Sequence, residues 1–170
     1  MREIDFFDLE SKETPREILE SDFPRLGKLP FNGGWGYNKA TACVIDKNDP
    51  SVDPELPFDG VYLEYLFAEY RVYEELIVFR PKGHQYAGIH RQLMGQKTLG
   101  IEGRLYDVLN FQISAFREED FDRLKAIYEG PDGARNSSFD TKAHEALHNS
   151  LLHTGMREYW FDITSFFGSN

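Results

Sequence analysis

The sequence predicts an α+β fold: a single domain over residues 1–170, with a mostly antiparallel sheet packed against about four helices. Helix-like and strand-like segments do not alternate regularly along the chain, which disfavours a parallel sheet. A chain of 170 residues has room for one hydrophobic core, and 41% hydrophobic residues supply the side chains to fill it. No internal repeat or linker divides the chain.

The first third of the chain predicts one short helix, one loop and one buried strand. Thr14 precedes a proline and stands three residues before Glu17, which is typical of a capped helix start, so we expect a helix over 15–22. The glycine-rich FNGGWGYN predicts a turn that packs Trp35 onto the core. The apolar run ATACVID predicts a strand, in which the single cysteine is an inert core residue.

The middle of the chain predicts a helix followed by a hairpin. Aromatic and aliphatic side chains recur every three or four residues, which favours a helix over about 61–76, with the run into Phe79 possible as an extended segment. The alternating residues and turn glycines over 85–116 predict a hairpin or small antiparallel sheet. Acid pairs such as Glu74–Glu75 and Glu118–Glu119 are expected on solvated helix faces.

The last third predicts two helices and a closing strand. In REEDFDRLKAIYEG, acids stand in the first turn and a glycine stands just past the end, as expected for a helix. Asp140 is a candidate N-cap and Gly155 a candidate end for a second helix of about four turns. The aromatic and β-branched run REYWFDITSFF predicts a closing strand.

The charge and the chain start restrict the partners that we expect. A net charge of −10 repels phosphate backbones and anionic lipid headgroups, so we expect neither nucleic acid nor a membrane surface as a partner. The same charge suits a basic protein partner. The first residues lack the basic start and the long apolar run of a signal peptide, and the chain has a single cysteine, so we expect a cytoplasmic location.

The segment His144-Glu145-Ala146-Leu147-His148 contains the sharpest candidate site. Two histidines one helical turn apart can bind one zinc ion, with Glu145 close enough to act as a general base toward metal-bound water. HEALH resembles the signature of the zincin metalloproteases, a resemblance that covers these five residues. It implies His144 and His148 as zinc ligands, Glu145 as the catalytic base and a third ligand elsewhere.

The surrounding sequence departs from the extended zincin pattern. Leu151 and Thr154 stand where that pattern has glycine and histidine, and the third ligand is unknown. The candidates for it are His153, Glu158 and Asp162. A solvated helix edge explains the same five residues without a metal, so no cofactor is expected, with zinc as the alternative.

Two functions from different classes follow. The first is a non-catalytic binding or interaction module that docks a protein partner; bacterial toxin-neutralising immunity proteins are similar in size and acidity. The alternative is a zinc-dependent hydrolase that uses the HEALH helix. A third possibility is a small-molecule pocket lined by aromatic side chains, including Tyr62, Phe67, Tyr70, Phe111, Tyr159 and Trp160.

Overall fold

The computed structural model describes residues 2–167, which form one compact α+β unit. Within this range, four α-helices pack with a six-stranded mixed sheet that is mostly antiparallel. The predicted fold class is therefore confirmed.

The sheet is built around a long hairpin in the second half of the chain. Its strands run in the spatial order β2-β3-β6-β5-β4, with β1 alongside β6. The pairs β1–β6 and β3–β6 are parallel, and the other pairs are antiparallel. The six strands are β1 Arg2–Glu3, β2 Phe31–Gly33, β3 Cys43–Ile45, β4 Tyr86–Ile101, β5 Arg104–Arg117 and β6 His153–Asp162. The hairpin predicted over 85–116 is β4–β5.

Local sequence signals set most helix boundaries. The four helices are α1 Pro15–Asp22, α2 Gly60–Tyr73, α3 Glu118–Glu129 and α4 Thr141–Leu151. The hydroxyl of Thr14 accepts a hydrogen bond from the backbone N–H of Glu17 at 3.2 Å, which caps α1 as predicted. After α2, the chain continues as a π-helical segment, Glu74–Val78, in which the Phe79 N–H donates to the Glu74 carbonyl at 2.9 Å. The segment into Phe79 is therefore helical rather than extended.

The second predicted helix of the last third is shorter than expected. The side chain of Asp140 caps α4 by accepting from the Ala143 N–H at 3.0 Å, as predicted. However, α4 ends at Leu151 and β6 begins at His153, so the helix does not reach the predicted end at Gly155. The reason is long-range pairing: His153 lies opposite Ala115 on β5, so the backbone is extended from that residue onward.

The main core lies between α2 and one face of the sheet. Leu109, Ile113 and Tyr159 are fully buried there, and Cys43 is buried among them as expected. A smaller cluster of Phe116, Leu124 and Leu151 joins α3 and α4 to the end of β5. Over residues 2–167, no helix combines the length and the apolar composition needed to cross a lipid bilayer.

Candidate functional site

The first histidine of HEALH packs among aromatic rings. His144 lies on α4, half-buried, with its ring centroid 5.4 Å from those of both Tyr128 and Phe139. Its Nδ1 atom is buried and has no hydrogen-bond partner within residues 2–167. The imidazole therefore packs α4 against the end of α3.

The second histidine and the intervening acid are more exposed. His148 lies at the surface and packs edge-on against Phe116, at 4.8 Å between ring centroids. Glu145 is exposed. Both imidazoles thus contribute to aromatic packing between α4 and its neighbours, in addition to the solvent contact that the sequence predicted for this helix edge.

The three candidates for a third zinc ligand are engaged elsewhere. His153 Nδ1 lies 3.2 Å from the Glu3 carbonyl, Glu158 accepts from Trp160 Nε1 at 3.0 Å, and Asp162 accepts from Arg104 Nε at 2.6 Å. The described part of the chain contains no group of three or more His, Cys, Asp or Glu side chains that could hold a metal ion. Zinc binding by His144 and His148, with Glu145 as base, stays an untested alternative.

The aromatic side chains considered as a pocket lining mainly fill the core. Phe67 packs edge-on against Phe161 at 5.7 Å, and Phe111 packs edge-on against Tyr159 at 5.4 Å. Tyr62, in contrast, is exposed on the outer side of α2. These rings stabilise the helix–sheet interface.

A cleft of about 500 Å³ lies between the N-terminal segment, α1 and the π-helical segment. We call it the acidic cleft, because its lining has three carboxylate side chains and only one ammonium side chain. Its lining residues are Glu10, Ser11, Lys12, Glu13, Ile18, Ser21, Asp22, Val78 and Phe79. The N-terminal segment supplies one wall, and the C-terminal end of α1 supplies another.

The acidic cleft also has an apolar wall. Val78 is 44% exposed and Phe79 is 36% exposed, although both follow directly from a helix that packs into the core. The π-helical segment places them here, because its wider hydrogen-bonded turn ends at the Phe79 N–H. π-helical turns are frequent at functional sites.

Glu74 lies one helical turn before Val78, behind the residues of the π-helical segment that line the cleft. Its side chain is fully buried. Burial, and then the adjacent carboxyl group of Asp22, raise the pKa of Glu74 to about 9. Glu74 is therefore protonated at neutral pH beside the carboxylate of Asp22, which lines the cleft.

The neighbouring Glu75 has a different environment. It is also fully buried, but its carboxylate accepts from Tyr37 Oη at 2.8 Å and pairs with the guanidinium groups of Arg71 and Arg157. The expectation that Glu74 and Glu75 form a solvated face is therefore wrong. The Glu118–Glu119 pair on α3 is exposed, as expected.

A second pair of carboxyl groups lies in the helix–sheet interface. Glu64 on α2 is buried, and burial followed by the proximity of Asp107 on β5 raises its pKa to about 9. Asp107 Oδ2 accepts from Gln96 Nε2 at 2.8 Å. Neither acid lines the acidic cleft.

No known protein family, curated protein or solved structure matches this chain. Sequence reasoning did not single out Asp22, and it assigned Glu74 to solvent. The one sequence signal for this site was the apolar run continuing past Glu75 to Phe79, which places Glu74 inside a helix that is apolar on nearly every side.

Proposed function

We propose that this protein is a non-catalytic binding module that docks a basic protein partner at the acidic cleft. The observation that supports this most directly is the lining of the cleft, where Glu10, Glu13 and Asp22 surround the exposed side chains of Val78 and Phe79. Lys and Arg side chains match such a surface, since each carries a cation at the end of an apolar stem.

The overall charge supports the same partner chemistry. A net charge of −10 attracts basic proteins at long range and increases the rate of encounter. A cytosolic protein that neutralises or docks a basic partner is consistent with this size and acidity. The cleft adds the local specificity that net charge alone does not provide.

The exposed acids of α3 provide the comparison surface. Glu118, Glu119 and Asp122 are exposed on α3 and do not line the acidic cleft. Reversing charges there changes the net charge without altering the acidic cleft. Binding that depends on the cleft will distinguish the two surfaces, whereas binding to net charge will not.

The experiment is an affinity selection of random peptides displayed on phage, using the full chain as bait. Selected peptides are then titrated against wild type, a Glu10→Lys/Glu13→Lys variant and a matched Glu118→Lys/Glu119→Lys variant. The two variants change the net charge by the same amount. We expect peptides rich in Lys and Arg, with at least about tenfold weaker binding to the cleft variant than to the α3 variant.

Two results would overturn the proposal. One is a set of selected peptides without an excess of Lys or Arg. The other is equal weakening by the two variants, which would mean that the peptides respond to net charge. Circular dichroism and thermal unfolding of each variant verify that the substituted side chains, which are exposed, leave the fold intact.

A further inference from the structure

We propose that two copies of this chain form a homodimer through the outer face of the sheet, which is the side of β4, β5 and β6 that points away from the main core. The outer faces of the two copies lie against each other, and Lys97 of each copy pairs with Glu158 of the other. This inference goes beyond the proposed function and does not depend on it, since no residue that lines the acidic cleft lies on these three strands.

The strand register defines the outer face. On β5, Leu109 points into the main core, so its neighbour Val108 points to the other side of the sheet. Lys97 on β4 lies opposite Val108, and Val108 in turn lies opposite Trp160 on β6. Residues directly opposite each other share a face, and Glu158 is the outward residue that precedes Trp160 on β6. Lys97 and Glu158 thus lie on the two strands that flank β5, on the same side of the sheet.

The outer face also presents apolar side chains to solvent. Met156 is 48% exposed, and the partly exposed ring of Trp160 packs edge-on against Tyr106 at 6.0 Å between centroids. Helices α3 and α4 pack on this side around Phe116, at the far end of β5. Neither Met156 nor Trp160 belongs to a hydrophobic cluster of residues 2–167. Exposed Trp and Met side chains with a charged rim are typical of protein interfaces.

Two opposite charges on the outer face lack ion-pair partners within one copy. Lys97 and Glu158 are both exposed, and neither forms an ion pair within residues 2–167 at the 4.0 Å limit. Glu158 Oε1 accepts from Trp160 Nε1 at 3.0 Å, which holds the carboxylate beside the indole ring. Arg104 and Asp162, in contrast, pair with each other at 2.6 Å. The charges available to a partner are therefore one cation on β4 and one anion on β6.

A two-fold axis parallel to β5 makes these two charges complementary. Because β5 lies between β4 and β6, such an axis places β4 of one copy over β6 of the other. Lys97 then faces both the Trp160 ring and the Glu158 carboxylate of the other copy, and the same contact occurs twice in the dimer. An axis across the strands would instead place β6 over β6 and bring the two Glu158 carboxylates together. Charge complementarity thus selects a second copy in aligned sheet-on-sheet packing.

The first experiment measures the mass of the full chain by sedimentation equilibrium in about 150 mM NaCl, where long-range repulsion between acidic copies is screened. We expect a monomer–dimer equilibrium. Lys97→Glu and Glu158→Lys each create two like-charge contacts across the dimer, so each should weaken dimerisation by at least about tenfold. The matched controls Lys125→Glu and Glu119→Lys make the same changes in net charge at exposed positions on α3. They should keep the dissociation constant within about twofold of the wild type.

Mixing the two outer-face variants tests the pairing itself. A Lys97→Glu copy carries two acids at these positions and a Glu158→Lys copy carries two lysines, so each variant repels itself whereas the mixed pair has both attractive contacts. We expect an equimolar mixture to form a heterodimer with about wild-type affinity, measured by sedimentation velocity with one variant fluorescently labelled. Circular dichroism of each variant alone verifies that the exposed substitutions leave the fold intact.

Three results would overturn the inference. The first is a wild-type chain that stays monomeric up to about 100 μM. The second is equal weakening of the dimer by the outer-face variants and by the α3 controls, which would mean that dimerisation responds to net charge. The third is a mixture of Lys97→Glu and Glu158→Lys that associates no more tightly than either variant alone, which would place the interface on another surface.

Discussion

The carboxyl group of Glu64 on α2 faces that of Asp107 on β5 inside the helix–sheet interface. Both side chains are buried, and a hydrogen bond between the two carboxyl groups contributes to the raised pKa of Glu64. Burial, followed by the presence of Asp107, raises the pKa of Glu64 to about 9. At neutral pH the pair therefore holds a proton that the unfolded chain releases.

We predict that Glu64→Gln stabilises the protein, and does so more at pH 8 than at pH 5. Between about pH 4.5 and pH 9, the unfolded chain loses the Glu64 proton while the folded protein keeps it, so the free energy of unfolding of the wild type falls as pH rises. Glutamine has no proton to lose, and its amide can donate to Asp107. We expect a gain of about 1–3 kcal/mol at pH 8, measured by urea unfolding at both pH values.

The pH dependence separates this prediction from a simple packing effect. A change in packing would shift the free energy of unfolding equally at pH 5 and pH 8. Glu74→Gln should produce a slope change of the same sign, because the pKa of Glu74 is also raised to about 9. Destabilisation of Glu64→Gln at pH 8 would contradict the shared proton.

Arg71 should be one of the most sensitive positions for stability. Its guanidinium group is fully buried between the rings of Tyr37 and Tyr159, and it donates to the carbonyls of Trp35, Gly36 and Glu158 at 2.8–3.1 Å. Arg71→Met leaves these acceptors and part of the Glu75 charge without a partner. We predict destabilisation by about 3–5 kcal/mol in urea unfolding.

The matched comparison is an ion pair at the surface. Lys28 lies 3.9 Å from Glu20 and is 79% exposed, so Lys28→Met should change the free energy of unfolding by less than about 1 kcal/mol. Arg71→Lys keeps the charge but cannot reproduce the planar fork of donors, and it should lie between wild type and Arg71→Met. Equal effects of Arg71→Met and Lys28→Met would show that the buried network contributes little.

The elements that the sequence predicted well depend on neighbouring residues. The cap at Thr14, the acidic first turn of α3 and the alternation in the β4–β5 hairpin are local signals, and each element has the expected location. The predicted end of α4 was wrong because the true end depends on the pairing of β6 with β5, which joins residues distant in sequence. Propensity within one segment does not contain that information.

The acidic cleft was missed for a similar reason. The pair Glu74–Glu75 has the composition of a solvated helix face, and its burial arises only when the N-terminal segment, α1 and β6 pack around the π-helical segment. The HEALH helix shows the opposite case: the cap at Asp140 and the proximity of the two histidines were predictable, whereas their aromatic neighbours on other elements were not.

Gly36 should tolerate no side chain. It has φ 84°, and a Cβ atom there would lie 2.9 Å from the backbone oxygen of Trp160 on β6, whose N–H donates to the Gly36 carbonyl at 2.8 Å. Gly83 also has a positive φ of 93°, but a Cβ atom there meets nothing within 4 Å. We predict that Gly36→Ala loses about 1–3 kcal/mol more stability than Gly83→Ala.

This pair of variants isolates the close contact from the backbone conformation. Both substitutions place alanine in the left-handed region, which costs about 1–2 kcal/mol in each. Only Gly36→Ala also pushes β6 away from the loop that contains Trp35. Thermal unfolding of the two variants side by side tests the effect of the close contact. Equal melting temperatures would mean that the loop moves to admit the Cβ atom without a loss of stability.

The HEALH histidines should bind zinc weakly. A zinc site needs three or four protein ligands, and residues 2–167 offer no group of three His, Cys, Asp or Glu side chains suited to a metal. His144 and His148 are instead packed against Tyr128, Phe139 and Phe116. We predict well below one zinc per chain after dialysis against zinc and removal of free metal, measured by elemental analysis.

The variant His148→Ala provides the control for that measurement. If the helix edge is structural, wild type and His148→Ala retain the same small amount of zinc, and the variant loses about 1 kcal/mol of stability with its edge-on contact to Phe116. Retention of about one zinc per wild-type chain, lost in His148→Ala, would instead restore the hydrolase hypothesis with Glu145 as its base. Glu145→Gln would then separate the two roles, since it should keep the metal and abolish hydrolysis of peptide or ester substrates.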